Sequence, residues 1–312
     1  MPVILRLQAL VWVVVAAIVF AAPASAACTV GSGAATFEPG SSYAVRGGTV
    51  PAVSASAGMA ASLVAHRAIY DLVLDPEHPG TQVDKARGRI AFQFTGTACE
   101  GYTIQLRQVT SLDTGEGQET VSDLRNESWE DATSTNYRFK TENFVNEEKR
   151  EDVSGTVARQ KNNALSVRVT KPKPANFTLP GKIYLPTQHT RAMLETAERG
   201  ERLLSARLFD GSPDGRKIYE TLTVIGSAEL HNDKTPAPDP ALAGLKRYPV
   251  TTSYFEVGQA DRLPAYTLSF DLYENGVSTA LRLNYGNFAL KGLLRSVELL
   301  PQKPCAAPPA KR

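Results

Sequence analysis

The feature that most constrains the fold is a series of runs in which apolar and polar residues alternate with a period of two. Ile90, Phe92 and Phe94 alternate with Ala91, Gln93 and Thr95, and Tyr102, Ile104 and Leu106 alternate with Thr103, Gln105 and Arg107. Successive side chains of a strand point to opposite faces, so each run makes a strand that buries one face and wets the other. Further runs carry Tyr137 and Phe139, then Leu165, Val167 and Val169, then Tyr266, Leu268, Phe270 and Leu272, then Leu281, Leu283 and Tyr285. Short turn-rich segments separate them, which predicts about a dozen strands or slightly more, paired antiparallel as meanders. The expected class is all-β, a single large sheet or barrel with one or two short helices.

Two segments depart from the alternation. Thr187–Gly200 places Met193, Leu194 and Ala197 at helical spacing, with Pro186 before it and Gly200 as a stop. A helix there is expected to cover the open end or concave face of the sheet. Lys234–Leu245 is too rich in proline for a strand and reads as a surface loop.

The N-terminus reads as an export signal. Arg6 precedes an apolar run from Ala9 to Ala22, which ends at Pro23 and the small-residue string Ala24-Ser25-Ala26. A retained membrane anchor is the competing reading, and the early Arg6 and the closing proline speak against it. Cleavage after Ala26 leaves no second apolar segment of spanning length, so the mature chain is expected to lack a transmembrane span and to reside in the periplasm. The layout expected is a signal peptide at 1–26, a flexible Gly/Ala/Ser linker at 27–62, one β domain at 63–301 and a Pro-rich tail at 302–312. Basic and acidic residues number 34 and 32, mixed along the chain with no basic stripe, so no nucleic-acid partner is expected.

Three cysteines stand at 28, 99 and 305. An exported chain with so few favours one structural disulfide. The pairing expected is Cys99, in the turn between two strong strand patterns, with Cys305, in a tail that otherwise has no reason to be ordered. No C-x-x-C spacing suggests thiol exchange. Cys28 lies just past the cleavage site and has two readings, a lipid-acceptor cysteine or a free thiol. Ser25 stands where lipoprotein signals usually carry Leu.

Motifs for chemistry are scarce. His66, His78, His189 and His231 have no metal-ligand spacing, and no G-x-S-x-G elbow, S-x-x-K motif, P-loop or G-x-G-x-x-G fingerprint is present. The chain is therefore expected to be no enzyme, with no catalytic residue, metal or cofactor. Asp210–Gly215 (DGSPDG) reads as a tight hairpin connection rather than a cation loop. His66 and Arg67 form the most chemically loaded pair, either recognising a ligand or making a strand-edge ion pair to Asp71 or Glu100. His189 in the first turn of the helix has the same two readings, and Met193 and Leu194 are candidate contacts beside it.

Five strings, His66–Leu72 (HRAIYDL), Gly88–Thr103 (GRIAFQFTGTACEGYT), Leu185–His189 (LPTQH), Leu208–Thr221 (LFDGSPDGRKIYET) and Leu272–Ser278 (LYENGVS), resemble the EipB family of periplasmic envelope-integrity proteins. The resemblance implies a long antiparallel sheet wound into an open spiral, a disulfide matching Cys99 and Cys305, and a helix after Leu185. Such spirals are similar in shape to periplasmic carriers of lipids and lipoproteins. No catalytic residue carries over.

The function expected is support of envelope integrity by binding a lipid, an acyl chain or an envelope partner in the curved sheet. Inward-facing Phe92, Phe94, Phe139, Leu268, Phe270 and Leu283 supply an apolar concavity, although the same residues at period two would equally fill a core. The alternative is an interaction scaffold for another envelope protein with no small ligand.

Overall fold

The computed structural model describes residues 63–80, 83–115, 119–232, 237–258, 263–302 and 305. The expected signal peptide and linker, Cys28 and most of the tail lie outside the described residues.

Among the described residues fourteen strands form one antiparallel sheet. At its middle, β1 (His66–Leu74) pairs on one side with β2 (Lys85–Thr97) and on the other with β14 (Ala289–Leu299). From β2 a meander runs through β3 (Gly101–Asp113), β4 (Glu119–Glu130), β5 (Asn136–Val145), β6 (Glu148–Arg159), β7 (Leu165–Lys171) and β8 (Ala175–Leu179). From β14 a second meander runs back through β13 (Ser278–Asn284), β12 (Tyr266–Tyr273), β11 (Arg247–Glu256), β10 (Tyr219–Ile225) and β9 (Leu203–Leu208). Only the pairing of β1 with β14 is non-sequential; every other neighbour follows in the chain, as short connections dictate.

The two edges, β8 and β9, are consecutive strands joined through α1 (Pro186–Glu198). Just before α1, Tyr184 makes a parallel bridge to Leu208. Its N–H donates to the Arg207 carbonyl at 2.7 Å, and its carbonyl accepts from Phe209 N–H at 3.0 Å. The segment that follows β8 is thus bonded to the outer edge of β9 through one residue pair, while β8 and β9 themselves form no ladder among the described residues.

Alternation sorts the side chains. The outer faces of β1 to β4 carry ion pairs: across strands, Arg89 with Asp71 at 2.7 Å and Arg107 with Asp123 at 2.9 Å, and along β4, Arg125 with the same Asp123 at 2.6 Å. Exposed pairs of this kind contribute little stability, but they make the outer face strongly polar.

The inward face divides into clusters. Tyr70, Leu72, Leu112, Phe288 and Leu290 pack at one end, and a 3-10 turn at Pro240–Leu242 closes over them with Leu242 fully buried. The segment expected as a surface loop therefore contributes to the core where it is described, because Leu242 and Leu245 have an apolar cluster to cover. Phe94, Tyr102, Tyr248, Val250, Phe270 and Leu272 receive Met193 and Leu194 of α1. Tyr137, Phe139, Leu165, Val167, Leu185 and Phe209 make a separate cluster, so Phe139 belongs to filled core and not to the concavity.

Cys99, in the β2–β3 turn, is disulfide-bonded to Cys305 beyond β14, with Cα atoms 5.8 Å apart. Gln302 reinforces this junction by donating to the carbonyls of Leu63 at 3.1 Å and Gly96 at 3.0 Å. No described helix is long and apolar enough to cross a membrane.

Candidate functional site: an amphipathic cavity beneath the helix

The inner faces of β1 to β5 and β11 to β13, with α1, line a partly open cavity of about 280 Å³. Its apolar wall includes Phe92, Phe94, Ile104, Leu106, Leu268, Phe270, Leu281 and Leu283, with Met193 reaching in from α1. Phe92, Ile104, Leu268 and Leu281 point inward yet keep part of their surface accessible. Side chains of a close-packed core lose that surface, so these four face a void. An engineered apolar cavity of about 150 Å³ accepts benzene, and this one is nearly twice that size.

A polar wall adjoins the apolar one, with Asn126 and Ser128 directly across the register from Leu106 and Ile104. Asn126 and Ser128 of β4, Tyr137 of β5, Thr187 and His189 of α1, Asp210, Tyr254 of β11 and Tyr266 of β12 all line it. The rings of Tyr254 and Tyr266 stack with centroids 4.2 Å apart. Asn126 donates from Nδ2 to Thr141 Oγ1 at 3.0 Å. Burial holds the His189 imidazole down at about 4. His189 Nε2 lies 3.4 Å from Thr221 Oγ1, but that hydroxyl donates to the Ala206 carbonyl at 3.2 Å and does not line the cavity.

Asp210 lies in the connection expected as a tight hairpin; β9 and β10 do pair antiparallel across it, but through residues 209–218, longer than a tight turn. The β9–β10 connection folds inward, so Asp210 is buried and its carbonyl accepts the Tyr137 hydroxyl at 2.9 Å. One carboxyl oxygen, Oδ1, accepts both the backbone N–H of Ser212 at 2.9 Å and its hydroxyl at 2.6 Å. Burial outweighs these bonds and pushes the carboxyl up to about 7. The inward fold depends on Gly211, at φ +87°, where a Cβ would lie 2.4 Å from the Phe139 ring. Only glycine meets both demands.

The seat of α1 is set from the sheet. Leu185 precedes the helix and has no side-chain acceptor to cap it. The first-turn N–H groups of Thr187 and Gln188 instead donate to the Glu130 carboxylate, at 2.7 and 3.0 Å. Ser134 Oγ donates to the same carboxylate at 2.5 Å. Burial still raises the Glu130 carboxyl above its ordinary range, with these three donors opposing. Glu130 lies in no motif, and Asp210 is legible in the sequence only as part of the DGSPDG connection. The local signal for Glu130 is its phase, since the inward series Ser122, Leu124, Asn126, Ser128, Glu130 is polar at every position but Leu124, where a core strand would be apolar throughout.

The residues singled out from the sequence separate by face. His66 is buried on the cavity wall, with Nδ1 2.9 Å from the Val64 carbonyl and its ring 5.5 Å from that of Phe92; burial lowers its pKa. Arg67, one residue on, lies outside, where it pairs with Glu298 at 3.3 Å and donates to Gln93. The two therefore form no joint site, and neither Asp71, which holds Arg89, nor Glu100 is a partner of Arg67. His189 and Met193 line the cavity, whereas Leu194 is fully buried in packing against the sheet and does not reach it. Among the described residues no group of three or more His, Cys, Asp or Glu side chains is placed to hold a metal ion.

A family model described as EipB-like matches residues 57–301, beginning within the stretch expected as a linker. The cell envelope integrity protein EipB of Brucella abortus (strain 2308) is 34% identical over 247 residues, which cover 79% of this chain and 88% of that protein. A crystal structure of a beta-barrel-like protein of a domain of unknown function, also from Brucella abortus, matches with a TM-score of 0.70 at 32% identity. The match covers 78% of this chain and 100% of that one.

Proposed function

The chain belongs to the EipB-like family, and from that premise we propose that it supports cell-envelope integrity as a non-enzymatic periplasmic protein that holds a lipid or acyl chain beneath α1. The name of the Brucella abortus relative supports the envelope role. The leader, with cleavage after Ala26, supports export. The observation that carries the ligand is the wall itself: Phe92, Ile104, Leu268 and Leu281 remain accessible to an interior void of about 280 Å³. Apolar surface held open in this way gains free energy when an apolar ligand covers it.

The test is lipid extraction and mass spectrometry of the protein purified from its native envelope, beside a Leu268→Trp variant that fills the void. A stoichiometric lipid that copurifies with the parent and is lost from the variant is expected. Repeated recovery of a lipid-free parent would remove the reading.

A second reading, a scaffold for another envelope protein, draws on the β9 edge. Leu203 there is 63% exposed and lies directly across the register from Val224, which is 48% exposed. An edge strand with apolar residues on its outer face suits strand addition by a partner. Loss of envelope function on Leu203→Lys, with lipid retained, would favour the scaffold.

A further inference from the structure

The cavity has a chemical asymmetry that narrows what it takes. Of the described side chains that line it, none is Lys or Arg. This is not for want of cations, since the chain carries 34. The groove on the outer face of β1 to β5 alone is lined by Arg67, Arg107, Arg125 and Lys140. The nearby cations are committed elsewhere: Arg159 to the carbonyls of Ser134 and Ile183 at 2.9 Å each and to Gln188 Oε1 at 3.0 Å, Arg191 to the carbonyl of Ala132 at 3.1 Å, and Lys217, whose charge acts on Asp210, to the Glu256 carboxylate.

The polar wall offers hydrogen bonds without a formed charge. Asn126 and Ser128 contribute an amide and a hydroxyl, and Tyr254 and Tyr266 two phenols. His189, held down at about 4, is neutral at physiological pH, and Asp210, pushed up to about 7, carries only part of a charge. A phosphate set against this wall would lose its water and meet no lining cation, and a quaternary ammonium would meet only the part charge of Asp210, a cost of several kcal/mol or more for either. A hydroxyl, amide or ester would exchange water for protein partners at little cost.

Resting on the lipid-holding reading above, we infer that the cavity takes a medium-length alkyl or acyl chain whose polar end is uncharged, with that end against Asn126, Ser128, His189 and Asp210. At ~30 Å³ per small group, the cavity holds on the order of nine methylene-sized units, so a decyl chain matches its length scale.

The experiment uses protein purified from cells that express the whole chain, loaded with the neutral apolar fluorophore N-phenyl-1-naphthylamine. Competitors share the decyl chain and differ at the head: decanol, decanamide, decyl phosphate and decyltrimethylammonium. Decanol and decanamide are expected to displace the probe at concentrations at least about tenfold lower than either charged compound. Equal or better displacement by decyl phosphate would overturn the inference and leave lipid holding intact. Failure of all four, and of the probe itself, would instead overturn lipid holding, and this inference with it. Asn126→Lys, checked for a parental far-ultraviolet spectrum, is expected to shift the preference toward decyl phosphate. If it folds and the order of competitors is unchanged, the head does not lie at Asn126. If it does not fold, the head-group series on the parent still decides.

Discussion

The Glu130 carboxylate at the end of β4 accepts the backbone N–H of Thr187 at 2.7 Å, across 57 positions of sequence. Gln188 N–H donates to the same carboxylate, so the N-terminus of α1 is capped by a residue of the sheet and not by its own flank. A helix end leaves donors unpaired, and burial makes each one costly unless an acceptor is supplied. This contact ties the helix that carries His189 and Met193 to the strand that carries Asn126 and Ser128, and so fixes the helix over the polar residues of the cavity.

Glu130→Ala is expected to lower stability by about 2–4 kcal/mol, combining a lost cap with buried donors left unpaired. Glu130→Gln keeps a carbonyl acceptor and should cost less. Chemical denaturation of both variants checks the order; parental stability in Glu130→Ala would show that water replaces the carboxylate.

Two buried groups on the polar wall give opposite pH dependences. His189 falls from 6.5 to about 4 on folding, so between those values the unfolded chain binds the extra proton and stability rises with pH. Asp210 rises from 3.8 to about 7, so between those values the folded chain binds the extra proton and stability falls as pH rises. Each contribution is on the order of 3 kcal/mol and they offset in the parent. Relative to the parent, His189→Gln should lose stability as pH is raised from 4.5 to 7, and Asp210→Asn should gain it. Denaturant midpoints at the two pH values test this, and two variants that track the parent would refute it.

Gly211→Ala is expected to destabilise by about 2 kcal/mol or more, because it adds a clash to an unfavourable φ. Its Cβ would meet the Phe139 ring at 2.4 Å. Combining it with Phe139→Leu should recover part of the loss, since the clash is with the ring and the φ penalty remains. Additive losses in a double-mutant cycle would contradict the contact.

Cys99→Ser and Cys305→Ser should each lower the melting temperature under oxidising conditions and match the reduced parent. The bridge closes 206 positions, for which chain entropy sets an upper figure of about 5 kcal/mol. If both variants melt with the oxidised parent, the bridge is energetically idle.

Much of this molecule was determined by the sequence alone. Alternation in Ile90–Phe94, Tyr102–Leu106 and Tyr266–Leu272 specifies strands with one buried face, because the pleat leaves no other arrangement for that pattern. Short connections then impose the antiparallel meander, and the spacing of Met193, Leu194 and Ala197 marks the helix. Tertiary structure alone decided whether the inward face is filled. Phe139 and Phe92 carry the same sequence signal, yet one meets Phe209 in a packed cluster and the other borders a void. Curvature of the sheet sets that difference, and period two says nothing about curvature. It also decided which polar residues matter. Arg67 lay beside His66 in the chain but across the sheet in space, while Glu130 and Asp210 became significant only once α1 and the β9–β10 connection folded onto them. Burial and partners come from contacts distant in sequence, and no local pattern encodes them.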